Sequence, residues 1–478
     1  MNNKQESDDK KAPFLELLNT YRESAGVPGV SLCVVEREET LFSGSAGVRD
    51  LETGSPMEPD TRFCAGSIMK SFTALLFLML EDDELLSLDD KMSAHFSLPE
   101  AEGYMESPTV AHMLSHVSGI PGLGYVISQL FRTCGVDEQG PFDPNEYRAV
   151  IQRVLAATTQ RAAPPDNTFM YSNEMYLLLQ DLAENLTGEP FGDLVARKVL
   201  RPLGMNASSI GFPRKVDKTI TGYFSLSEPQ RQVVPFLPKT AYGCGGLVTN
   251  ILDLEVYLRF LLGHGMLDGR RSNEYTQRLW EPQILRFPGS MHHYGFGWFI
   301  QEGPFDEPLI YHGGDVLFSG GICALLPNRG LAVAVGQNAT GSDKLMAFAE
   351  EVLAVAAGVG RIREREKADR ALLKTLIGKY ATRDAVFTLE VKPQGEALML
   401  LLSIPGSIGP QAVPLTRSNP EKLEFTPAKA ISVAGAPVTF HALPDGSAVR
   451  LRYGDYLFFK TEDEKDPSNN LVDKEKTR

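Results

Sequence analysis

The run Phe63-Cys-Ala-Gly-Ser-Ile-Met-Lys-Ser-Phe-Thr-Ala-Leu-Leu-Phe-Leu-Met-Leu80 constrains the fold more than any other stretch of the chain. From Phe72 to Leu80 it carries no charge, so a helix built from it is apolar on every side and belongs inside a core. The helix is expected to begin near Ser67, where unpaired backbone N–H groups and the positive end of the helix dipole converge on the hydroxyl. Lys70 then lies one turn on, on the same face. A serine hydroxyl is a poor nucleophile at neutral pH. An amine can take its proton only when burial or nearby positive charge favours the uncharged form, and an apolar helix supplies that burial. S-x-x-K is a short pattern, and Ser7-Asp-Asp-Lys10 repeats it in a polar segment. The decision therefore rests on partners elsewhere in the chain.

A length of 478 residues leaves room for two or three domains. The formal net charge of −14 argues against a nucleic-acid or anionic-membrane partner, because both need a concentrated basic face. The first residues are polar with no apolar segment behind them, and the longest apolar run, around Ala74 to Leu80, is far shorter than the roughly 20 residues that span a bilayer. A cytoplasmic protein is expected. Five cysteines, at 33, 64, 134, 244 and 323, are an odd number without paired spacing, which fits reduced thiols better than a disulfide frame or a zinc site.

Residues 1–12 read as a disordered tail, followed by a short amphipathic helix with Phe14, Leu17, Leu18 and Tyr21 on one face. Gly29 to Val35 and Thr40 to Gly47 read as a hairpin. From about 80 to 210 the signals are helical: Pro108 to His116, a helix capped by Asp143-Pro144, and Asn173 to Leu186 closed by Gly188. His112 and His116 stand at i, i+4, which can bring two imidazoles to one metal. No H-E-x-x-H glutamate or third ligand accompanies them, so a structural role is expected and no metal. After Met205, Gly243 to Thr249 reads as a turn into a strand, Asn250 caps a helix with Leu252, Leu254, Leu258 and Leu261 on its apolar face, and Tyr294 to Trp298, Gly321 to Leu326 and Gly330 to Val335 read as strands. Leu345 to Ala357 reads as the last helix of this part. No glycine pattern of the dinucleotide type is present, and no cofactor is expected. The charged stretch 361–370 marks a linker. Seven or eight short alternating strands within 371–462 suggest a small antiparallel β-barrel, and 463–478 a polar tail.

Two further motifs supply what Ser67 and Lys70 lack. Met170-Tyr-Ser-Asn-Glu174 holds the only Y-x-N of the chain; the Tyr171 phenol can relay a proton, and Asn173 can bind a substrate amide and steady Lys70. Tyr311-His-Gly-Gly-Asp315 lets the backbone pass close to a ligand, so that an N–H near Asp315 pairs with that of Ser67 as an oxyanion hole while His312 contacts substrate.

The ordered set S-x-x-K, Y-x-N, H-G-G resembles the class C β-lactamase-like serine hydrolases, the penicillin-recognising family that also includes D-aminopeptidases, D,D-carboxypeptidases and esterases. The resemblance covers about residues 13–360 and includes Thr109 to Ile120, Pro202-Leu-Gly-Met205 and Gly245 to Thr249. It implies an α+β fold: a mixed sheet flanked by helices, plus a helical lobe, with the cleft between them. It further implies that Ser67 is acylated, that Lys70 and Tyr171 share the proton work, that Asn173 orients substrate, and that His312, with Gly313, Gly314 and Asp315, occupies the position of the family's K-T-G. Which of Lys70 and Tyr171 is the formal base stays open. Histidine in place of lysine is similar to D-aminopeptidase-like and esterase-like members, and makes efficient cephalosporin hydrolysis doubtful. The C-terminal strands resemble the lipocalin-like domain of some peptidase relatives, which implies a role in walling the cleft, limiting substrate length or mediating assembly. The expected function is a metal-independent serine hydrolase acting through an acyl-enzyme on small peptides or amides with D-residues among them. The alternatives are a carboxylesterase or transacylase with weak β-lactamase activity, and an inactive binding or scaffold protein. A small-molecule or short-peptide partner follows, and a homo-oligomer is compatible with it.

Overall fold

The computed structural model describes residues 2–97, 107–120, 122–133, 146–157, 165–166, 168–212, 217–224, 231–233, 235–286, 292–301, 305 and 307–359, and between 376 and 461 a set of strands with a few flanking residues. The chain divides into two compact units, Met1–Gly360 and Arg361–Arg478.

The first unit is built on an eight-stranded sheet. Its strands are β1 (Gly29–Glu36), β2 (Glu39–Gly47), β3 (Ile284–Leu285), β4 (His292–Tyr294), β5 (Phe299–Gln301), β6 (Leu309–Val316), β7 (Ser319–Leu326) and β8 (Leu331–Gln337), in the spatial order β3-β4-β5-β6-β7-β8-β1-β2. Every ladder in it is antiparallel, where the resemblance implied a mixed sheet. Strands β1 and β2, and those from β3 through β8, are joined in sequence by connections too short for a crossover helix, and such connections pair strands antiparallel. β8 meets β1 with Ala334 opposite Cys33, so strands from both ends of the unit share one sheet. Tyr294 to Trp298, read as one strand, is instead the end of β4 and the turn before β5.

Helix α1 (Asn2–Ala25) includes the residues expected as a tail. Lys, Gln and Glu lose little in a helix, and a helix already anchored by the buried Phe14, Leu17, Leu18 and Tyr21 extends at small cost. Helix α2 (Met69–Asp82) is buried from Met69 through Leu80, as its lack of an exposed polar face requires. Each large apolar side chain there contributes on the order of 1.5–3 kcal/mol relative to exposure. The helical region contains α3 (Val110–Leu114), helices Tyr125–Thr133 and Glu146–Ala157, and α4 (Asn173–Thr187), which ends on Gly188 at φ +70°. The Asp143-Pro144 cap lies outside the described residues. Further on come the one-turn α5 (Tyr242–Gly245), which with the strand Leu247–Thr249 after it forms the expected turn into a strand, then α6 (Ile251–Leu261) and α7 (Ser342–Ala356). Asn250 caps α6 by accepting the Asp253 N–H at 2.8 Å. Leu254, Leu258 and Leu261 are buried, but Leu252 is exposed, since positions two apart cannot share a helix face.

The second unit is a ladder of β9 (Gly378–Ala381), β10 (Thr388–Gln394), β11 (Ala397–Ser403), β12 (Gln411–Asn419), β13 (Glu424–Pro427), β14 (Val438–Ala442), β15 (Val449–Tyr453) and β16 (Tyr456–Lys460). These pair antiparallel in chain order, and β16 pairs back to β9. Alternate residues, among them Tyr380, Leu389, Val391, Leu400, Phe440 and Leu451, form its core, the period-two pattern of strands with one face inward. Among the described residues no helix is long and apolar enough to cross a membrane.

Candidate active site

Ser67 is delivered by a short extended segment. Phe63–Cys64 pairs with Leu247–Thr249, and the Ala65 N–H donates to the Leu247 carbonyl at 2.9 Å. The chain then reverses at Gly66, φ +54°, and passes through a 3₁₀ turn, Gly66–Ile68, into α2. The turn places Ser67 ahead of the helix proper and leaves it half-buried. Gly66 cannot be replaced without strain: besides its positive φ, a Cβ there would lie 2.7 Å from the Asp315 nitrogen. The reverse holds across the contact, where a Cβ on Gly314 would lie 2.6 Å from the Ser67 nitrogen. The backbone amides of Ser67 and Asp315 therefore flank one glycine-to-glycine contact between the turn and β6.

Lys70 is wholly buried. Its Nζ lies 3.0 Å from Ser67 Oγ, and it donates to Asn173 Oδ1 at 2.8 Å and to the Cys244 carbonyl at 3.0 Å. The two carbonyl-type acceptors fix two of its N–H bonds. The remaining position on nitrogen is aimed at the serine, as a third N–H in the ammonium or as the lone pair in the amine. Among the described residues no carboxylate forms a salt bridge with it. Asn173 is the first residue of α4, and the Tyr171 ring centroid lies 4.7 Å from Lys70 Nζ, with that of Tyr176 at 5.3 Å. The structure thus brings Ser67, Lys70, Tyr171 and Asn173, separated by up to about a hundred residues in sequence, into one cluster.

The β6 residues divide by face. Strand side chains alternate, and His312 faces the cluster: its ring lies 6.4 Å from that of Tyr171. It is buried, its Nδ1–H donates to the Gly313 carbonyl at 2.6 Å, and Nε2 lies 3.1 Å from the Tyr294 hydroxyl, which donates to it. Burial, with the nearby Lys70 second, pushes its imidazole down to about 3, so it is neutral at pH 7. Asp315 belongs to the opposite face: its Oδ2 accepts the Gly341 N–H ahead of α7 at 3.1 Å. Its side chain does not join the cluster; its amide does. Gly313 and Gly314 enter through backbone alone.

Three participants lay outside the sequence reading. Cys244 acts through its carbonyl on α5, which any residue type could supply; only the surrounding glycines hinted at a close backbone approach. Tyr294 read as strand core. His116 read as structural, and its Nδ1 accepts the Ser172 N–H at 3.2 Å beside Tyr171. His112 instead closes a capping box with Thr109 at the start of α3. The helix stops at Leu114, so the two imidazoles do not share a face, and among the described residues no group of His, Cys, Asp or Glu could hold a metal ion.

A protein-family model described as Beta-lactamase matches residues 14–358. Among curated proteins, an unguisins hydrolase, ungD', of Aspergillus campestris is 29% identical over 69% of this chain and 62% of its own length. A D-aminopeptidase of Brucella anthropi is 28% identical over 60% of this chain and 51% of its own length. The chain thus spans about half to six-tenths of these two relatives. Among solved structures, the octameric penicillin-binding protein homologue from Pyrococcus abyssi is similar over 94% of this chain and 99% of that one, at 26% identity and a TM-score of 0.68.

Proposed function

This chain belongs to the beta-lactamase family, and from that premise we propose that it is a serine hydrolase that passes through an acyl-enzyme on Ser67 and acts on small peptides or amides, D-configured ones among them. The observation that carries the reading is the 3.0 Å contact between a wholly buried Lys70 Nζ and Ser67 Oγ. In the proposed cycle Ser67 Oγ attacks the substrate carbonyl while its proton passes to the Lys70 and Tyr171 pair. The carbonyl oxygen gathers charge between the Ser67 and Asp315 N–H groups. Collapse breaks the bond to the leaving amine, which takes the proton from the pair. Water then attacks the acyl carbonyl by the same route in reverse and frees Ser67. Asn173 holds Lys70 and offers its amide to substrate.

The substrate class rests on His312. A neutral, buried imidazole offers no charge to a substrate carboxylate, which disfavours penicillin-type ligands and favours acyl groups without one. The similarity to a D-aminopeptidase supports amides of D-residues within that class. We extend the proposal to the second unit, read as a lipocalin-like barrel of 371–462 behind a 361–370 linker, to a homo-oligomer as in the octameric homologue, and to a cytoplasmic location. Among the described residues Cys33, Cys244 and Cys323 are buried thiols outside any disulfide, which fits a reducing compartment.

Intact-mass and peptide spectrometry after treatment with a fluorophosphonate tests the reaction: an adduct on Ser67 is expected, and its absence under conditions that label a related hydrolase overturns the proposal. A panel of D- and L-aminoacyl p-nitroanilides, short esters and nitrocefin tests the substrate class. Nitrocefin turnover above that of every amide and ester would refute it.

A further inference from the structure

The turn that follows α3 places an imidazole where few side chains are tolerated. His116 has φ +61°, a left-handed conformation that costs a residue with a Cβ on the order of 1–2 kcal/mol, and it is fully buried. Both ends of the residue are used. Its carbonyl accepts the Met170 N–H at 2.7 Å, and its Nδ1 accepts the Ser172 N–H at 3.2 Å. Met170 and Ser172 flank Tyr171, and the His116 ring itself lies against the Tyr171 ring, 4.3 Å between centroids. A neutral imidazole that accepts at Nδ1 carries its proton at Nε2. That nitrogen is buried without a hydrogen-bond partner among the described residues, beneath the rings of Tyr176 and Tyr294 at 5.2 and 5.0 Å. An orphaned buried donor costs on the order of 1–3 kcal/mol. A ring chosen for packing alone would avoid that cost, so the acceptor at Nδ1 is what the site retains histidine for.

We propose that His116 is a positioning residue for Tyr171: it pins the backbone on both sides of the tyrosine and packs at a tilt against its ring, and so fixes the phenol that shares the Ser67 proton. The inference rests on the acyl-serine reading above. It assigns no proton transfer to His116 itself. A phenol displaced by about 1 Å loses on the order of 10²-fold in rate, with substrate affinity little affected.

The test measures kcat and KM for a short p-nitrophenyl ester, with thermal unfolding, in the parent, His116→Ala, His116→Asn, His116→Gln, Tyr171→Phe and the His116→Ala/Tyr171→Phe double variant. Asparagine tolerates the left-handed backbone and carries an acceptor at the reach of Nδ1, whereas glutamine carries one at the reach of Nε2. His116→Ala is expected to lower kcat about 10²-fold with KM little changed, His116→Asn to recover most of it, and His116→Gln to recover little. On the Tyr171→Phe background His116→Ala is expected to remove nothing further. Additive losses in the double variant, equal activity of the Asn and Gln variants, or full activity of Tyr171→Phe overturns the proposal. If His116→Ala shows no cooperative unfolding, the Asn and Gln comparison decides alone. Fluorophosphonate labelling of Ser67 in the parent separates the two levels: no label overturns the acyl-serine reading and this inference with it, while a label with an additive cycle overturns only the role of His116.

Discussion

The contact between Gly314 and the Ser67 turn gives a substitution whose effect can be worked from distances. A Cβ placed on Gly314 would lie 2.6 Å from the Ser67 nitrogen, with the Ala65 carbonyl closer still. Both neighbours are backbone, so no side-chain rotamer can yield, and β6 must withdraw from the turn by well over an ångström to restore van der Waals contact. The withdrawal carries the Asp315 amide away from that of Ser67. Losing one such donor costs about 10²–10³-fold in kcat, roughly 2.7–4 kcal/mol of transition-state stabilisation. Gly314→Ala is therefore expected to lose about that factor in ester turnover and in the rate of fluorophosphonate labelling. Gly313→Ala is the internal control. Its Cβ would meet only the Gly321 carbonyl at 3.8 Å, an ordinary contact on the sheet face that turns away from Ser67, and its loss is expected to stay within a few-fold. Stopped-flow labelling and thermal unfolding of both variants would decide. Gly314→Ala at parental rate, or Gly313→Ala equally impaired with its fold intact, would refute the claim that the Asp315 amide takes part.

Ser67→Ala is expected to lower amide and ester turnover by several orders of magnitude and to abolish the covalent adduct, read by mass spectrometry; turnover equal to the parent's would favour a binding protein. Asn173→Ala removes the Oδ1 that Lys70 donates to at 2.8 Å and leaves a buried N–H without that partner, an expected destabilisation on the order of 1–3 kcal/mol in urea unfolding, with a larger fractional loss in kcat. His312 titrates at about 3 in the folded chain, against an ordinary value near 6.5 when unfolded, so the unfolded chain binds the extra proton between those limits. Stability is then full above about pH 6.5 and falls as pH drops toward 3, by up to about 1.4 kcal/mol per pH unit from this group. Denaturant titrations at pH 7.5, 6 and 5 should show a shallower fall in His312→Gln, and an unchanged slope would contradict the neutral buried assignment.

What could be read from the sequence follows from what each residue contributes. Ser67, Lys70 and Asn173 act through side chains whose chemistry is specific, so their spacing and their setting beside an apolar helix were legible, and the structure brings them within hydrogen-bonding distance. The strands from Gly29 to Val35 and from Gly321 to Val335 were legible because they are largely apolar runs broken by charge or turn residues. Cys244 was not, because a carbonyl is common to every residue. Nor was the turn at His116, because nothing in a histidine announces a positive φ; only the packing around it holds that conformation. Asp315 was read through its backbone N–H, and that amide is the part of it that lies beside the Ser67 turn. What the sequence did not show is that 311–315 is itself a strand, so that the Asp315 side chain, three residues from His312, faces the other way.

That division has a consequence for how the site tolerates change. The groups that do chemistry are side chains, Ser67 on the turn ahead of α2, Lys70 on α2, Tyr171 just before α4 and Asn173 at its start, and each can be removed without moving its neighbours' backbone. The groups that set distance are backbone atoms at Gly66, Gly314 and Cys244, and the glycines among them hold the Ser67 turn against β6. A methyl group at Gly66 or Gly314 therefore displaces the reacting geometry as a unit, whereas truncating Lys70 or Asn173 deletes one function from a frame that stays in place. If the frame is as stiff as these contacts require, Gly314→Ala and Asn173→Ala should differ in kind: the first slowing acylation by every substrate alike, the second slowing most those whose amide Asn173 would hold.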